Sequence, residues 1–196
     1  MSTPNIGVLA IQGDVREHVN HLTACGANVT LVKTPESLVN VNALVIPGGE
    51  STTMSILAVK NNLIEPLREA RKKIPMYGSC AGLIMLADRI TDGRPDQQTI
   101  GGLDITAQRN AFGRQVDSFE IDIKIADIGE PAFHAVFIRA PLVTQVGSRV
   151  KVLATLPNSE QVVAVRQDHL LATSFHPEIV PDFRIHKYFL EMVKAA

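Results

Sequence analysis

Residues 78–82 read Gly-Ser-Cys-Ala-Gly and separate a short apolar run from a helical one. A nucleophile flanked by glycines at such a junction predicts a sharp strand-to-helix turn, with the side chain of Cys80 held above the edge of a sheet. Unpaired N–H groups at the start of the next helix, near Ala81, favour an anion there. A thiolate beside oxyanion donors predicts acyl transfer through a thioester. The alternative is a turn of small residues around an ordinary buried cysteine.

A second motif, His176-Pro177-Glu178, follows an apolar run over residues 170–175 that predicts a buried strand. Side chains two residues apart on an extended chain lean to the same side, so we expect the imidazole and the carboxylate to form a hydrogen bond. Such a pair supplies the base and the orienting acid of a catalytic triad. A solvated surface turn is the alternative, and the cysteine turn earlier in the chain favours the triad.

A third segment, Pro-Gly-Gly-Glu-Ser at residues 47–51, follows a short apolar run that predicts a strand. Two successive glycines let the backbone turn its N–H groups towards a ligand. At the carboxyl end of a sheet strand, this predicts that Gly49 joins Ala81 in an oxyanion hole. A plain strand-to-helix turn with Ser51 and Thr52 as N-caps is a second interpretation, and it is compatible with the first.

The size and charge of the chain restrict the classes of protein to which it can belong. With 196 residues, 45% of them hydrophobic, we expect one domain over residues 1–196. A net charge of −1 gives no reason to propose a nucleic-acid partner. The absence of a signal-peptide pattern, of a long apolar run and of a disulfide pattern predicts a cytoplasmic protein without a membrane partner. Cys25 is expected to be an inert core thiol.

The six histidines form no zinc-like spacing with the two cysteines, so we expect no metal. The thioester chemistry expected at Cys80 requires no organic cofactor either. Three of the histidines, His18, His21 and His186, fall on helical patterns. These three are interpreted as surface residues or as core histidines with satisfied hydrogen bonds.

The hydrophobic pattern changes along the chain. The first half alternates short apolar runs with helical patterns, and helices are expected over residues 52–73, with a break near Pro66, and over residues 81–90. Residues 119–125 alternate strictly, which is typical of an antiparallel strand, and a final helix is expected over residues 181–193. The pattern predicts an α/β fold, a three-layer sandwich with a mostly parallel central sheet flanked by helices, plus an antiparallel β extension.

Taken together, the three motifs resemble class I (triad-type) glutamine amidotransferases. The chain is more closely similar to the glutaminase subunits of pyridoxal 5′-phosphate synthases. That closer resemblance rests on segments spread over almost the whole chain, namely residues 6–9, 12–13, 15–18, 47–54, 109–119, 137–141 and 174–178.

The resemblance implies a hydrolase that converts L-glutamine to L-glutamate and ammonia. Cys80 is then the nucleophile, His176 the base and Glu178 its orienting acid. The implied glutamine-binding residues are Gly48, Gly49, Glu50, Arg109, Ile138 and Arg139. A planar guanidinium suits the α-carboxylate of glutamine, because it bonds both oxygens.

The resemblance also implies a partner, the (β/α)₈-barrel synthase subunit that uses the ammonia to build pyridoxal 5′-phosphate in vitamin B6 biosynthesis. We expect the isolated chain to be a poor glutaminase until that partner reorients a peptide of the loop at residues 47–49. Two alternatives stay open at this point. One is a glutaminase subunit of another enzyme, such as imidazole glycerol phosphate synthase. The other is a peptidase, stress-response hydrolase or redox sensor with a cysteine at the same turn.

Overall fold

The computed structural model describes residues 3–109 and 118–196 of the chain. The strands are β1 (Asn5–Leu9), β2 (Asn28–Val32), β3 (Ala43–Ile46), β4 (Met76–Ser79), β5 (Ala87–Thr91), β6 (Leu103–Gln108), β7 (Ser118–Ile123), β8 (Phe133–Ile138), β9 (Leu142–Val146), β10 (Lys151–Thr155), β11 (Val162–Gln167) and β12 (Leu170–Thr173). The helices are α1 (Val15–Ala24), α2 (Ser51–Lys60), α3 (Ile64–Ala70), α4 (Ala81–Leu86) and α5 (Arg184–Ala195), with 3₁₀ turns at Pro35–Leu38 and Pro177–Ile179.

One large mixed sheet organises the molecule, in the order β2-β1-β3-β4-β12-β11-β9-β6-β5, with β10 paired to β11. Strands β2, β1, β3, β4 and β12 are mutually parallel, whereas β11 pairs antiparallel with β12, β9 and β10. Strands β7 and β8 form a separate antiparallel hairpin. The parallel sheet with an antiparallel extension confirms the predicted fold class. The parallel strands bring their carboxyl ends to one edge, where ligands of α/β sheets bind.

Two apolar clusters cover the two faces of the large sheet. Along β3, Ala43 and Val45 belong to the cluster shared with α1 and α5, whereas Leu44 and Ile46 belong to the cluster shared with α2, α3 and α4. Successive side chains of a strand point to opposite faces, so a strand buried on both faces is apolar throughout. This two-sided burial holds the carboxyl ends of the parallel strands in fixed positions.

Several predicted helix boundaries are wrong. The break in the helical region lies between α2 and α3 at residues 61–63, and Pro66 sits in the first turn of α3, where the missing N–H of proline is tolerated. The helix predicted over residues 81–90 ends at Leu86, and the chain continues directly into β5. The last helix begins at Arg184, three residues later than expected.

None of the helices within residues 3–109 and 118–196 combines the length and the apolar character that a membrane crossing requires.

Candidate active site

Cys80 occupies a strained turn between β4 and α4. Its backbone has φ 48° and ψ −103°, which a residue with a Cβ rarely adopts, and such strain is typical of functional sites. The flanking glycines permit this turn, since a Cβ at Gly78 would overlap the backbone of Gly82. A Cβ at Gly82 would in turn overlap the carbonyl of Ile46 in β3. The turn therefore presses α4 against the strand ends and leaves the Ala81 N–H in its first helical turn.

His176 and Glu178 lie together beside this turn, and their predicted hydrogen bond is present. Nδ1 of His176 is 2.8 Å from Oε1 of Glu178, and both side chains are buried. The expected extended backbone is wrong, because β12 ends at Thr173 and the residues after His176 form the 3₁₀ turn Pro177–Ile179. Proline fixes its own φ for this turn, and the carboxylate folds back onto the imidazole. Nδ1–H donates to Glu178, which leaves Nε2 available to Cys80.

The environment of His176 favours the protonated ring. Burial alone would lower the pKa of His176, but hydrogen bonds with Asp14, Cys80 and Glu178 outweigh burial and raise that pKa above its usual range. Burial also raises the pKa of Glu178, and the hydrogen bond with His176 opposes this. An imidazolium held between a carboxylate and a thiol is a ready proton donor for a leaving group.

Asp14 is a functional candidate that the sequence analysis missed. Its Oδ2 is 3.4 Å from Nδ1 of His176, and this hydrogen bond lowers the pKa of Asp14 despite partial burial. The available signal was positional, since Asp14 follows β1 at the same sheet edge as the other site residues. Asp14, His176 and Glu178 are close enough to be considered as metal ligands. Because Nδ1 of His176 already donates to Glu178, we assign the three residues to proton chemistry.

The glycine loop after β3 packs against both Asp14 and His176. The Gly48 carbonyl accepts a hydrogen bond from the Asp14 N–H at 3.1 Å, and a Cβ at Gly48 would overlap the imidazole. Gly49 has φ 146°, and a Cβ there would overlap the side chain of Gln12. Gln12 in turn accepts from the N–H of Glu50 at 3.1 Å. Glycine at both positions is therefore required by close contacts.

Glu50 caps α2 and holds Arg109. Its carboxylate accepts from the backbone N–H of Thr52 at 3.0 Å and of Thr53 at 2.7 Å, so Glu50 is the N-cap in place of Ser51 or Thr52. Burial would raise the pKa of Glu50, but the hydrogen bonds from Thr53 and Thr52 lower it. Nη2 of Arg109 lies 2.9 Å from Oε1 of the same carboxylate. Glu50 thus fixes the position of Arg109 at the site.

A cavity of about 490 Å³ opens over the cysteine. The predicted site residues that line it are Gly49, Glu50, Cys80, Ala81, Arg109, Ile138, Arg139 and His176. Lining residues that were not predicted are Gln12, Asp14, Ser51 and Ile84. Two predicted residues stand outside the lining, since Gly48 packs behind the imidazole and Glu178 is buried beneath it.

Two of the lining residues, Ile138 and Arg139, lie at the end of β8. The Ile138 carbonyl is 3.9 Å from Sγ of Cys80, and Arg139 is exposed with φ 44°. Since Arg109 is paired with Glu50, Arg139 is the cavity-lining arginine whose guanidinium is more open to a substrate carboxylate. Residues 110–117 of the segment that supported the closer resemblance lie outside the described part of the chain.

Comparisons with known proteins agree with this geometry. The model of the SNO glutamine amidotransferase family matches residues 8–195. The chain is 55% identical to the pyridoxal 5′-phosphate synthase subunit PdxT of Kineococcus radiotolerans over 197 residues, with 97% of this chain and 95% of the relative covered. It is 54% identical to the protein of the same name from Salinispora arenicola, with both chains fully covered. A crystal structure of a glutamine amidotransferase superposes with a TM-score of 0.90 at 44% identity, and it covers 96% of this chain and 98% of that one.

Proposed function

Because the chain belongs to the SNO glutamine amidotransferase family, we propose that it is the glutaminase subunit of a pyridoxal 5′-phosphate synthase. It hydrolyses L-glutamine to L-glutamate and ammonia, whereas the lyase chemistry that forms pyridoxal 5′-phosphate belongs to the partner subunit. The observation that carries the proposal is the strained Cys80 beside the buried His176–Glu178 pair, in a chain more than half identical to full-length PdxT relatives.

The first half of the reaction forms a thioester. The Cys80 thiolate attacks the side-chain amide carbon of glutamine, and the N–H groups of Gly49 and Ala81 receive the oxyanion. One oxyanion donor typically lowers the barrier by about 2.7–4 kcal/mol. His176 gives its Nε2 proton to the amide nitrogen, so that the C–N bond breaks and ammonia leaves.

The second half releases glutamate. His176, now neutral at Nε2, accepts a proton from water, and the resulting hydroxide attacks the thioester carbon. The C–S bond then breaks, and the thiolate is restored beside an imidazolium. Glu178 keeps the Nδ1–H tautomer and stabilises the positive ring in both halves.

We assign substrate recognition to the rim of the cavity. Arg139 bonds the α-carboxylate of glutamine, and Arg109, fixed by Glu50, adds a second positive charge. The Ile138 carbonyl and the loop of Gly48 and Gly49 supply the remaining polar contacts of the substrate.

The partner in this proposal is the (β/α)₈-barrel synthase subunit that the family resemblance implies. The names of the PdxT relatives support a place in a pyridoxal 5′-phosphate synthase of more than one subunit. Partner binding completes the oxyanion hole by moving the Gly48–Gly49 peptide. This movement breaks the hydrogen bond between the Asp14 N–H and the Gly48 carbonyl. Residues 1–196 act as one glutaminase domain. We place the reaction in the cytoplasm, since Cys25 and Cys80 are free thiols.

The alternatives are less well supported. A cysteine at a strand-to-helix turn would also fit an imidazole glycerol phosphate synthase glutaminase or a peptidase. The full-length matches, however, carry the name of the pyridoxal 5′-phosphate synthase subunit.

The test is glutamate release from L-glutamine by the chain, alone and with the barrel synthase subunit of the same organism. We expect the partner to raise kcat by about 10²–10³-fold, as one completed oxyanion donor predicts. Cys80→Ala should abolish the activity, and the matched control Cys25→Ala should retain it. Equal rates with and without the partner would reject the proposal that the partner activates the glutaminase. Equal stimulation by an imidazole glycerol phosphate synthase subunit would reject the pathway.

A further inference from the structure

Three buried histidines continue the polar contacts of the triad into the interior. Nε2 of His18 lies 2.9 Å from Oγ of Ser79 and 3.5 Å from Oε2 of Glu178. Nδ1 of His18 is 2.9 Å from Nε2 of His186, and Nδ1 of His186 is 3.2 Å from Nδ1 of His21. We name His18, His186 and His21 the histidine chain. It joins α1 and α5 to the rear of the triad, on the side of Glu178 away from the substrate cavity.

The acceptor at the inner end of the histidine chain is unusual. Among the described residues, Oε2 of Glu178 has no hydrogen-bond partner at normal distance, although the side chain is fully buried. A buried carboxylate oxygen without a donor is strongly unfavourable. His18 Nε2 is the ring nitrogen that faces this oxygen, and it also reaches Ser79, the residue before the nucleophile.

The hydrogen-bonding capacity of neutral imidazole sets the direction of the histidine chain. Each neutral ring has one donor and one acceptor nitrogen. If Nε2 of His18 faced Glu178 with a lone pair, the lone pair and the carboxylate would repel each other. The Glu178 charge therefore favours one arrangement, in which His21 donates to His186, His186 donates to His18, and His18 donates towards Glu178 and Ser79.

The surroundings keep these rings neutral. Burial lowers the pKa of His18 well below its usual value, and burial lowers that of His186 to about 3. Burial also lowers the pKa of His21. The other titratable groups that face the histidine chain from neighbouring elements are Tyr77, His176, Glu178 and Asp182.

We propose that His18 is a positioning residue of the glutaminase reaction, which donates its Nε2–H to the second carboxylate oxygen of Glu178 and is itself oriented by His186 and His21. This inference rests on the proposed glutaminase function. The donated hydrogen bond keeps Glu178 ionised in an apolar interior and prevents its rotation away from His176. His18 is not among the residues that line the cavity, and it acts through Glu178.

Two amide variants of His18 separate this role from simple packing. The side-chain amide nitrogen of Gln can occupy the position of the imidazole Nε2, whereas that of Asn can occupy only the position of Nδ1. His18→Gln therefore retains a donor towards Glu178, and His18→Asn does not. Both are assayed for glutamate release from L-glutamine in the complex with the barrel synthase subunit, across a range of pH, with thermal unfolding measured in parallel.

His18→Asn should lower kcat by about 10-fold to 100-fold, the effect of one lost hydrogen bond to a charged group, and leave KM unchanged. Without the donor the pKa of Glu178 rises further, so the acid limb of the kcat profile moves to higher pH. His18→Gln should restore both kcat and the acid limb. If His18→Asn does not fold, His186→Phe, which removes the donor to His18, should shift the acid limb in the same direction.

Equal losses of kcat in His18→Gln and His18→Asn at equal melting temperatures would overturn the inference, as would an acid limb that does not move. A wild-type complex that releases no glutamate would instead contradict the proposed function.

Discussion

The two sides of the His176 ring differ in solvent access and in chemistry. The Nε2 side faces Cys80 and a cavity of about 490 Å³ that Arg109 and Arg139 line. The Nδ1 side faces Glu178, behind which His18 and the rest of the histidine chain are buried, and Asp14 contacts Nδ1 at the boundary with the cavity. Groups on the open side contact the substrate, whereas groups on the buried side set the protonation and orientation of the ring. Substitutions on the two sides should therefore alter different kinetic parameters.

Glu178→Gln tests the buried side and should have the largest effect among the substitutions that compare the two sides. The amide does not stabilise an imidazolium and favours the wrong tautomer, so kcat should fall by about 10³–10⁴-fold with KM little changed. Steady-state glutaminase kinetics of the complex measure both parameters. A variant that changes KM alone would indicate that Glu178 contacts the substrate. The two sides of the His176 ring would then not differ in function.

The open side of the site was largely predictable from the sequence. Cys80, Gly49 and His176 each follow an apolar run that ends at the same sheet edge, and parallel topology brings such ends together. The geometry of such a short motif is determined by its own residues and their neighbours along the chain. The hydrogen bond between His176 and Glu178 was predicted from an extended backbone. The structure has a 3₁₀ turn at Pro177–Ile179 instead, and this turn also brings the two side chains together.

The histidine chain was not predictable in the same way. His18 and His186 are 168 positions apart and meet only because α1 and α5 pack on the same face of the sheet. The sequence left open whether they lie on the surface or in the core, and the structure places both in the core with hydrogen-bond partners. Cys25, expected in the core, is half-buried at the end of α1.

Helix length in α4 was also mispredicted for a physical reason. The apolar run over residues 81–87, followed by Asp88, Arg89 and Ile90, fits a helix and a strand equally well, since periodicity alone does not separate short buried segments. Pairing of β5 with β6, a tertiary interaction, decides in favour of a strand after Leu86.

Arg139→Met tests the open side, with a smaller expected effect. Loss of a charged partner for the α-carboxylate should raise KM for glutamine by about 10-fold to 100-fold and change kcat much less. Arg149→Met, at an exposed arginine in the β9–β10 connection, is the matched control and should leave both parameters unchanged. If kcat fell while KM stayed constant, Arg139 would act on the chemical step.

A separate effect of the buried side concerns stability at acid pH. The folded-state pKa of His186 lies far below its unfolded value, so the unfolded chain binds the additional proton as pH falls below about 6.5. His186 should therefore destabilise the fold by about 1.4 kcal/mol for each pH unit between pH 6 and pH 4. Urea unfolding at several pH values should show a shallower acid loss for His186→Leu than for wild type.

His134→Asn serves as the control for this experiment. Hydrogen bonds to Asp122 and Glu120 raise the pKa of His134, so its contribution has the opposite sign and is present at low pH. Its removal should not reduce the acid loss. An unchanged slope in His186→Leu would contradict a neutral His186 in the folded protein.

The central claim, a glutamine site with a reactive thiolate at Cys80, is tested most directly by covalent labelling. The complex with the barrel subunit is treated with 6-diazo-5-oxo-L-norleucine, a glutamine analogue that alkylates a thiolate with loss of nitrogen. Peptide mass mapping should locate one adduct, on Cys80, that excess L-glutamine suppresses. Labelling of Cys25, or of neither cysteine in a complex that still hydrolyses glutamine, would contradict the account.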